Sequence, residues 1–133
     1  MNTNEIHPYK VSVLTKVTFT PDMIEDWLRW CVESCSTYWC ELNAKASTWG
    51  DDEKDPIRNI AEGRGWLVVT LKDPETFPGH HERHANAYSL LQTLEALAQR
   101  DRRLFDLLAT ENYDGIAADH AFQYLMLGEV YYA

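Results

Sequence analysis

The chain has 133 residues, 45% of them hydrophobic, and a formal net charge of −9 with a pI near 4.9. That length and apolar content support a packed core, and five Trp, seven Tyr and four Phe exclude an intrinsically disordered chain. The acidic balance repels phosphate backbones and anionic lipid, so direct nucleic-acid and membrane binding are disfavoured; it suits solubility or a partner with a basic surface.

Residues 1–8 are polar, end in Pro8 and read as a loose lead-in. Tyr9, Val11, Val13, Thr15, Val17 and Phe19 then alternate with mostly polar residues, the period of a half-buried strand. Thr20 fits a helix N-cap, Pro21 the first helical position and Asp22 the positive end of the helix dipole. From there Ile24, Trp27, Leu28, Cys31, Cys35, Tyr38, Trp39 and Leu42 step by three and four. This predicts a helix of about five turns. Trp30 lies off the stripe, as an exposed residue or a second contact surface.

Residues 43–65 form a variable, loop-rich middle, with a short strand possible at "KASTW" and a strand or helical turn at "IRNIAEGRG". "GWLVVTLKD" reads as a buried strand, and "PETFPGHHER" as a loop because of its two prolines. "HANAYSLLQTLEALAQRDRRLFDLLATEN" reads as a helix that either continues past "QRDRR" or restarts there. "IAADHAFQYLML" is the last helix, Gly128 its C-terminal stop, and "EVYYA" a final extended segment. The sum is one α+β domain over 1–133: a small antiparallel or mixed sheet of about two to four strands, packed on one face by about three helices. The last helix is apolar on nearly every face, so it is expected between the sheet and the first helix. Val130 and Tyr132 are expected to tie the terminus to the sheet or to a partner subunit, which leaves a homodimer open.

Cys31, Cys35 and Cys40 are too few and too clustered for a disulfide framework, and two of them share an apolar helix stripe, so they read as buried free thiols. No apolar leader follows Met1 and no 18-residue apolar run exists, which together point to a reducing cytoplasm. His80, His81 and His84 are weak metal candidates: their spacing is not His-Glu-x-x-His, and a solvated helix start is the favoured reading, so no metal site is expected. Asp119 and His120 are adjacent and diverge on a helix, so they are not a dyad. With no phosphate loop or nucleophile elbow present, the chain reads as a non-enzyme without a cofactor. The candidate binding residues are acidic and aromatic: Asp22, Glu25, Asp26, Trp30 and Glu33 on the first helix, then Trp49, Asp51, Asp52 and Glu53 in the middle. Arg58 and Arg64 sit in the same middle region, where a cleft walled by Arg and aromatics would suit a planar or phosphorylated small ligand.

Two segments, "STYWCEL" and "DGIAADHAFQYLMLGEVYYA", carry a family resemblance. Tyr38-Trp39, Ala118-Asp119, Gln123 and Gly128-Glu129-Val130 with a following Tyr resemble a family of small bacteriophage and prophage proteins. Leu127 departs from the family's aromatic before the Gly, and Tyr132-Ala133 from its Tyr-Gly close. The resemblance covers the two ends of the chain and little of the middle. It implies a phage-encoded accessory protein acting in the bacterial host cytoplasm, and it transfers no catalytic residue. Joined to the acidity, it leads to the expectation of a binding protein that inhibits a host defence system by covering a basic nucleic-acid-handling protein such as a CRISPR effector. The alternatives are a sponge for a nucleotide immune signal and a small oligomeric phage assembly protein.

Overall fold

The computed structural model describes residues 10–11, 17–47, 55–73, 75, 77–79 and 81–132. In chain order these give β1 (Lys10–Val11), β2 (Val17–Thr18), α1 (Pro21–Trp30), a π-helical turn (Cys31–Cys35), β3 (Cys40–Leu42) and α2 (Ala44–Ser47). There follow α3 (Pro56–Ala61), β4 (Leu67–Leu71), β5 (Glu82–Ala85), α4 (Ala87–Arg100), α5 (Arg102–Ala109) and α6 (Gly115–Leu127). The fold is α+β, with an antiparallel sheet in the order β3-β4-β5 and a separate β1-β2 pair.

Several elements form where local chemistry directs them. The Thr20 hydroxyl accepts a hydrogen bond from the Met23 N–H and opens α1 ahead of Pro21. Asn86 and Asp114 cap α4 and α6 in the same way. Asp101 ends α4 and caps α5, so the polar "QRDRR" marks a restart rather than a continuation. Gly128 closes α6 at φ +87°, a left-handed conformation that favours glycine.

Four expectations change. The alternating run over 9–20 is two short strands paired antiparallel, because a period of two persists when a strand folds back on itself. Residues 12–16 lie outside the described residues. The first helix stops after the π-helical turn instead of running to 42, and Cys40–Leu42 becomes an edge strand on β4. In the middle, α2 stands where a short strand was possible at "KASTW", while α3 is the helical-turn alternative at "IRNIAEGRG". Finally, "ERHA" is not a helix start but β5, paired residue by residue from Thr70↔Glu82 to Leu67↔Ala85.

Strand β4 is central and buried along most of its length. Ser47, from α2, completes its hydrogen bonding. Its hydroxyl accepts from the Val68 N–H at 2.8 Å and donates to the Val68 carbonyl at 3.3 Å. Helix α6 touches α1, α4, α5 and β5, and nine of its thirteen residues are buried. Across it the Trp27 indole donates to the Ala118 carbonyl at 3.0 Å, and the Arg83 guanidinium to the Met126 carbonyl at 2.9 Å. The expected central placement of the last helix is therefore the observed one.

Candidate functional site

The acidic residues of α1 divide into two groups. Asp22 and Glu25 point at α3, where Arg58 meets each at 2.8 Å. Arg29 joins Glu25 at 2.8 Å, Glu33 at 3.6 Å and Asp55 at the start of α3. Arg58 also binds Glu62 at 2.8 Å, and Glu62 binds Arg64. Hydrogen bonds from Arg58 and then Arg29 hold the Glu25 carboxyl below its usual range, and Arg58 does the same for Glu62. At Asp55 burial pushes upward, and the Arg29 hydrogen bond and backbone N–H groups outweigh it. Five carboxylates (Asp22, Glu25, Glu33, Asp55, Glu62) share three guanidiniums (Arg29, Arg58, Arg64), so the braced surface keeps an excess of two negative charges.

Asp26 and Trp30 lie off this lattice. Trp30 is 39% exposed and rests against Tyr113, ring centroids 5.8 Å apart. Burial, then the charges of Asp26 and Glu111, push the Tyr113 phenol up to about 12.

The arginines expected to share a cleft separate. Arg58 faces α1, whereas Arg64 lines a recess of about 560 Å³ with Trp66, Tyr88 and Asn86, at the N-terminus of α4. Arg64 also reaches the Asn59 side chain at 3.3 Å. Trp39, read on the apolar stripe of the first helix, is buried in the core. Trp49, Asp51, Asp52, Glu53 and His80 lie outside the described residues. His84 stands on strand β5, edge-on to Trp66 at 6.1 Å, and not on a helix. Among the described residues no three His, Cys, Asp or Glu side chains converge as metal ligands.

Sequence reasoning missed the polar centre of the molecule, the carboxylate of Asp119, only 4% exposed. Ser36 donates to Oδ1 at 2.6 Å and the Trp39 indole to the same oxygen at 2.7 Å. Tyr38 donates to Oδ2 at 2.6 Å and Gln123 at 2.9 Å. Four donors fill the acceptor capacity that a buried carboxylate must satisfy. Burial and this neighbouring charge push the Tyr38 phenol above its ordinary range. Gln123, one turn on, clasps the C-terminal segment: its Oε1 accepts from the N–H groups of Tyr131 and Tyr132, and its Nε2 donates to the Tyr132 carbonyl. The Tyr132 ring stacks on Trp39 at 5.5 Å. The terminus is thus tied by a side-chain clasp, not by joining the sheet. Tyr38, Trp39, Asp119, Gln123 and Tyr132, drawn from two segments some eighty positions apart, meet in this one network. The signal that could have found it was an Asp and a Gln four apart in an otherwise apolar helix.

The three thiols are unbridged. Burial pushes Cys31 well above the ordinary thiol range and Cys40 up to about 12. Cys35 is half-buried, its sulfur 3.6 Å from that of Cys31, and the hydrogen bond between the two thiols lowers it. No helix among the described residues is long and apolar enough to cross a membrane. Compared with known proteins, the chain matches no family model, no curated protein and no solved structure.

Proposed function

We propose that this is a phage-encoded, non-enzymatic binding protein that acts in the bacterial host by covering a basic, nucleic-acid-handling protein of a defence system, for example a CRISPR effector. The observation that carries the reading is electrostatic. The chain bears −9, and the arginines nearest the acidic helix are already held by carboxylates with two negative charges in excess. Such a surface speeds encounter with a basic partner and repels nucleic acid competing for it. Affinity capture from a host extract with mass spectrometry is the test. A basic nucleic-acid-binding protein should be enriched, should be released as salt rises toward 1 M, where the Debye length falls to about 3 Å, and should lose its nucleic acid on capture. Enrichment of no such protein would refute the reading.

A second reading has its own observation, the recess at Arg64, Trp66 and Tyr88. Aromatic faces, a guanidinium and a helix N-terminus suit a nucleotide. Calorimetric titration with cyclic nucleotides decides it, since absence of heat with all of them removes it. The oligomeric assembly reading makes the apolar C-terminus an interface between copies; against it, most of α6 is buried within the chain and Tyr132 packs on Trp39. Light scattering that finds a monomer at high concentration would set it aside.

A further inference from the structure

Among the described residues five large apolar side chains are exposed, and three of them share one face: Trp30 at 39%, Tyr38 at 50% and Ile116 at 68%. Gly115 brings them together. A Cβ at that position would stand 3.6 Å from the Trp30 ring and 3.5 Å from the Cys35 Cβ, ordinary contact distances, so the start of α6 lies directly against the end of α1 and the π-helical turn. Between them lies an open recess of about 470 Å³ walled by Tyr38, Ile116, Cys35 and His120. Its margin is acidic. Asp114 lines the recess, Glu33 is exposed one turn beyond Trp30, and Asp26 and Glu111 bear on Tyr113, which packs against Trp30. The cations nearby are Arg29, which pairs with Glu33 at 3.6 Å, Arg103 in the neighbouring recess beyond Ile116, and Lys72, bonded to the Thr37 carbonyl.

Exposed aromatics grouped at the centre of a polar margin are the pattern of a protein-binding hot spot. Resting on the reading above, we infer that the Trp30–Tyr38–Ile116 face is the contact surface, and that it takes a segment of a partner protein in which an aliphatic or aromatic side chain is flanked by Lys or Arg. The apolar side chain would enter the recess, and the flanking cations would meet Asp26, Glu33, Glu111 and Asp114. A second copy of this chain would set this acidic margin against itself, a like-charge contact that costs affinity.

Site-specific photo-crosslinking in host extract tests the inference. Benzoylphenylalanine replaces Ile116 or, as a matched control, Tyr88, which is equally exposed at 68% and lies at the other recess. The expected adduct forms from position 116, about tenfold above position 88, on a partner peptide with Lys or Arg beside the linked residue. Asp26→Lys with Glu33→Lys should lower that yield about tenfold at low salt, through the encounter rate. Three results overturn the inference: equal yield from position 88, an acidic partner peptide, or a second copy of this chain at position 116. The first of these leaves the binding-protein reading standing. No adduct from either position, together with no protein captured by affinity, overturns both.

Discussion

At the scale of single residues, Asp119 and Gln123 govern the molecule. A carboxylate with four donors is stable in the interior only while all four are present, because each orphaned buried donor costs about 1–3 kcal/mol. Asp119→Ala strands Ser36, Tyr38 and Trp39 together, and urea unfolding should show a loss of about 3–5 kcal/mol. Asp119→Asn keeps the volume but turns a donor toward donors; it should cost nearly as much, whereas a control at an exposed position such as Gln99→Ala should move the midpoint little. Among the described residues one buried side-chain polar atom, the Tyr132 hydroxyl, has no partner. Tyr132→Phe should therefore be neutral or slightly stabilising in the same assay, and a loss above about 1 kcal/mol would contradict that placement. Thiol chemistry follows burial as well. Iodoacetamide should label Cys35 in the folded protein and reach Cys31 and Cys40 only after denaturation, as read by peptide mass.

At the scale of elements, the brace between α1 and α3 has a definite pH response. The folded carboxyls of Glu25, Asp55 and Glu62 sit below their usual values. Their contribution is therefore present above the unfolded carboxyl pKa values, near 4, and is lost as pH falls through the lower folded ones. These pairs are open to solvent and screened by it, so each contributes little and the melting temperature should fall gradually below about pH 4. Glu25→Gln should flatten the decline. A decline unchanged in that variant would show that the brace is not its source. The C-terminal segment is a second element-scale case. Deleting residues 128–133 removes the stack on Trp39 and leaves Gln123 without three of its backbone partners. A cost of about 2–4 kcal/mol is expected, and Gln123→Ala should reproduce part of it. Equal melting temperatures for the truncated and full chains would mean that the segment is free to serve a partner instead.

At the scale of the whole molecule, α6 is the beam that joins the layers. The Trp27 indole and the Cys31 thiol both reach the Ala118 carbonyl, and Arg83 on β5 reaches the Met126 carbonyl. Helix, π-helical turn and sheet therefore share one set of anchors. The Trp30–Tyr38–Ile116 face is laid over the same anchors, since Tyr38 lends its ring to the surface and its hydroxyl to Asp119. Tyr38→Phe should keep the face and lose one bond to the carboxylate, at about 1–2 kcal/mol of stability, while capture of the proposed partner persists.

The sequence by itself determined whatever depends on neighbours within about four positions: the cap Thr20, the stop at Gly128, the apolar run of β4, the periodicity of α1, the all-round apolar character of α6, and hence the α+β class. It also marked Trp30 as lying off the apolar stripe. Tertiary structure decided where α1 ends. Cys35, Tyr38 and Trp39 keep the helical spacing, yet Ser36, Tyr38 and Trp39 are drawn off the helix path toward Asp119, which lies 80 to 83 positions away. It likewise made "ERHA" a strand, because pairing with β4 outweighs the weak strand preference of Glu, Arg, His and Ala. The acidic residues of α1 were legible as charges. Which of them α3 would neutralise was not, because an ion pair between Asp22 and Arg58 depends on two helices packing side by side. Capping and periodicity act through local backbone geometry, whereas burying Asp119 becomes favourable only once distant donors are already in place.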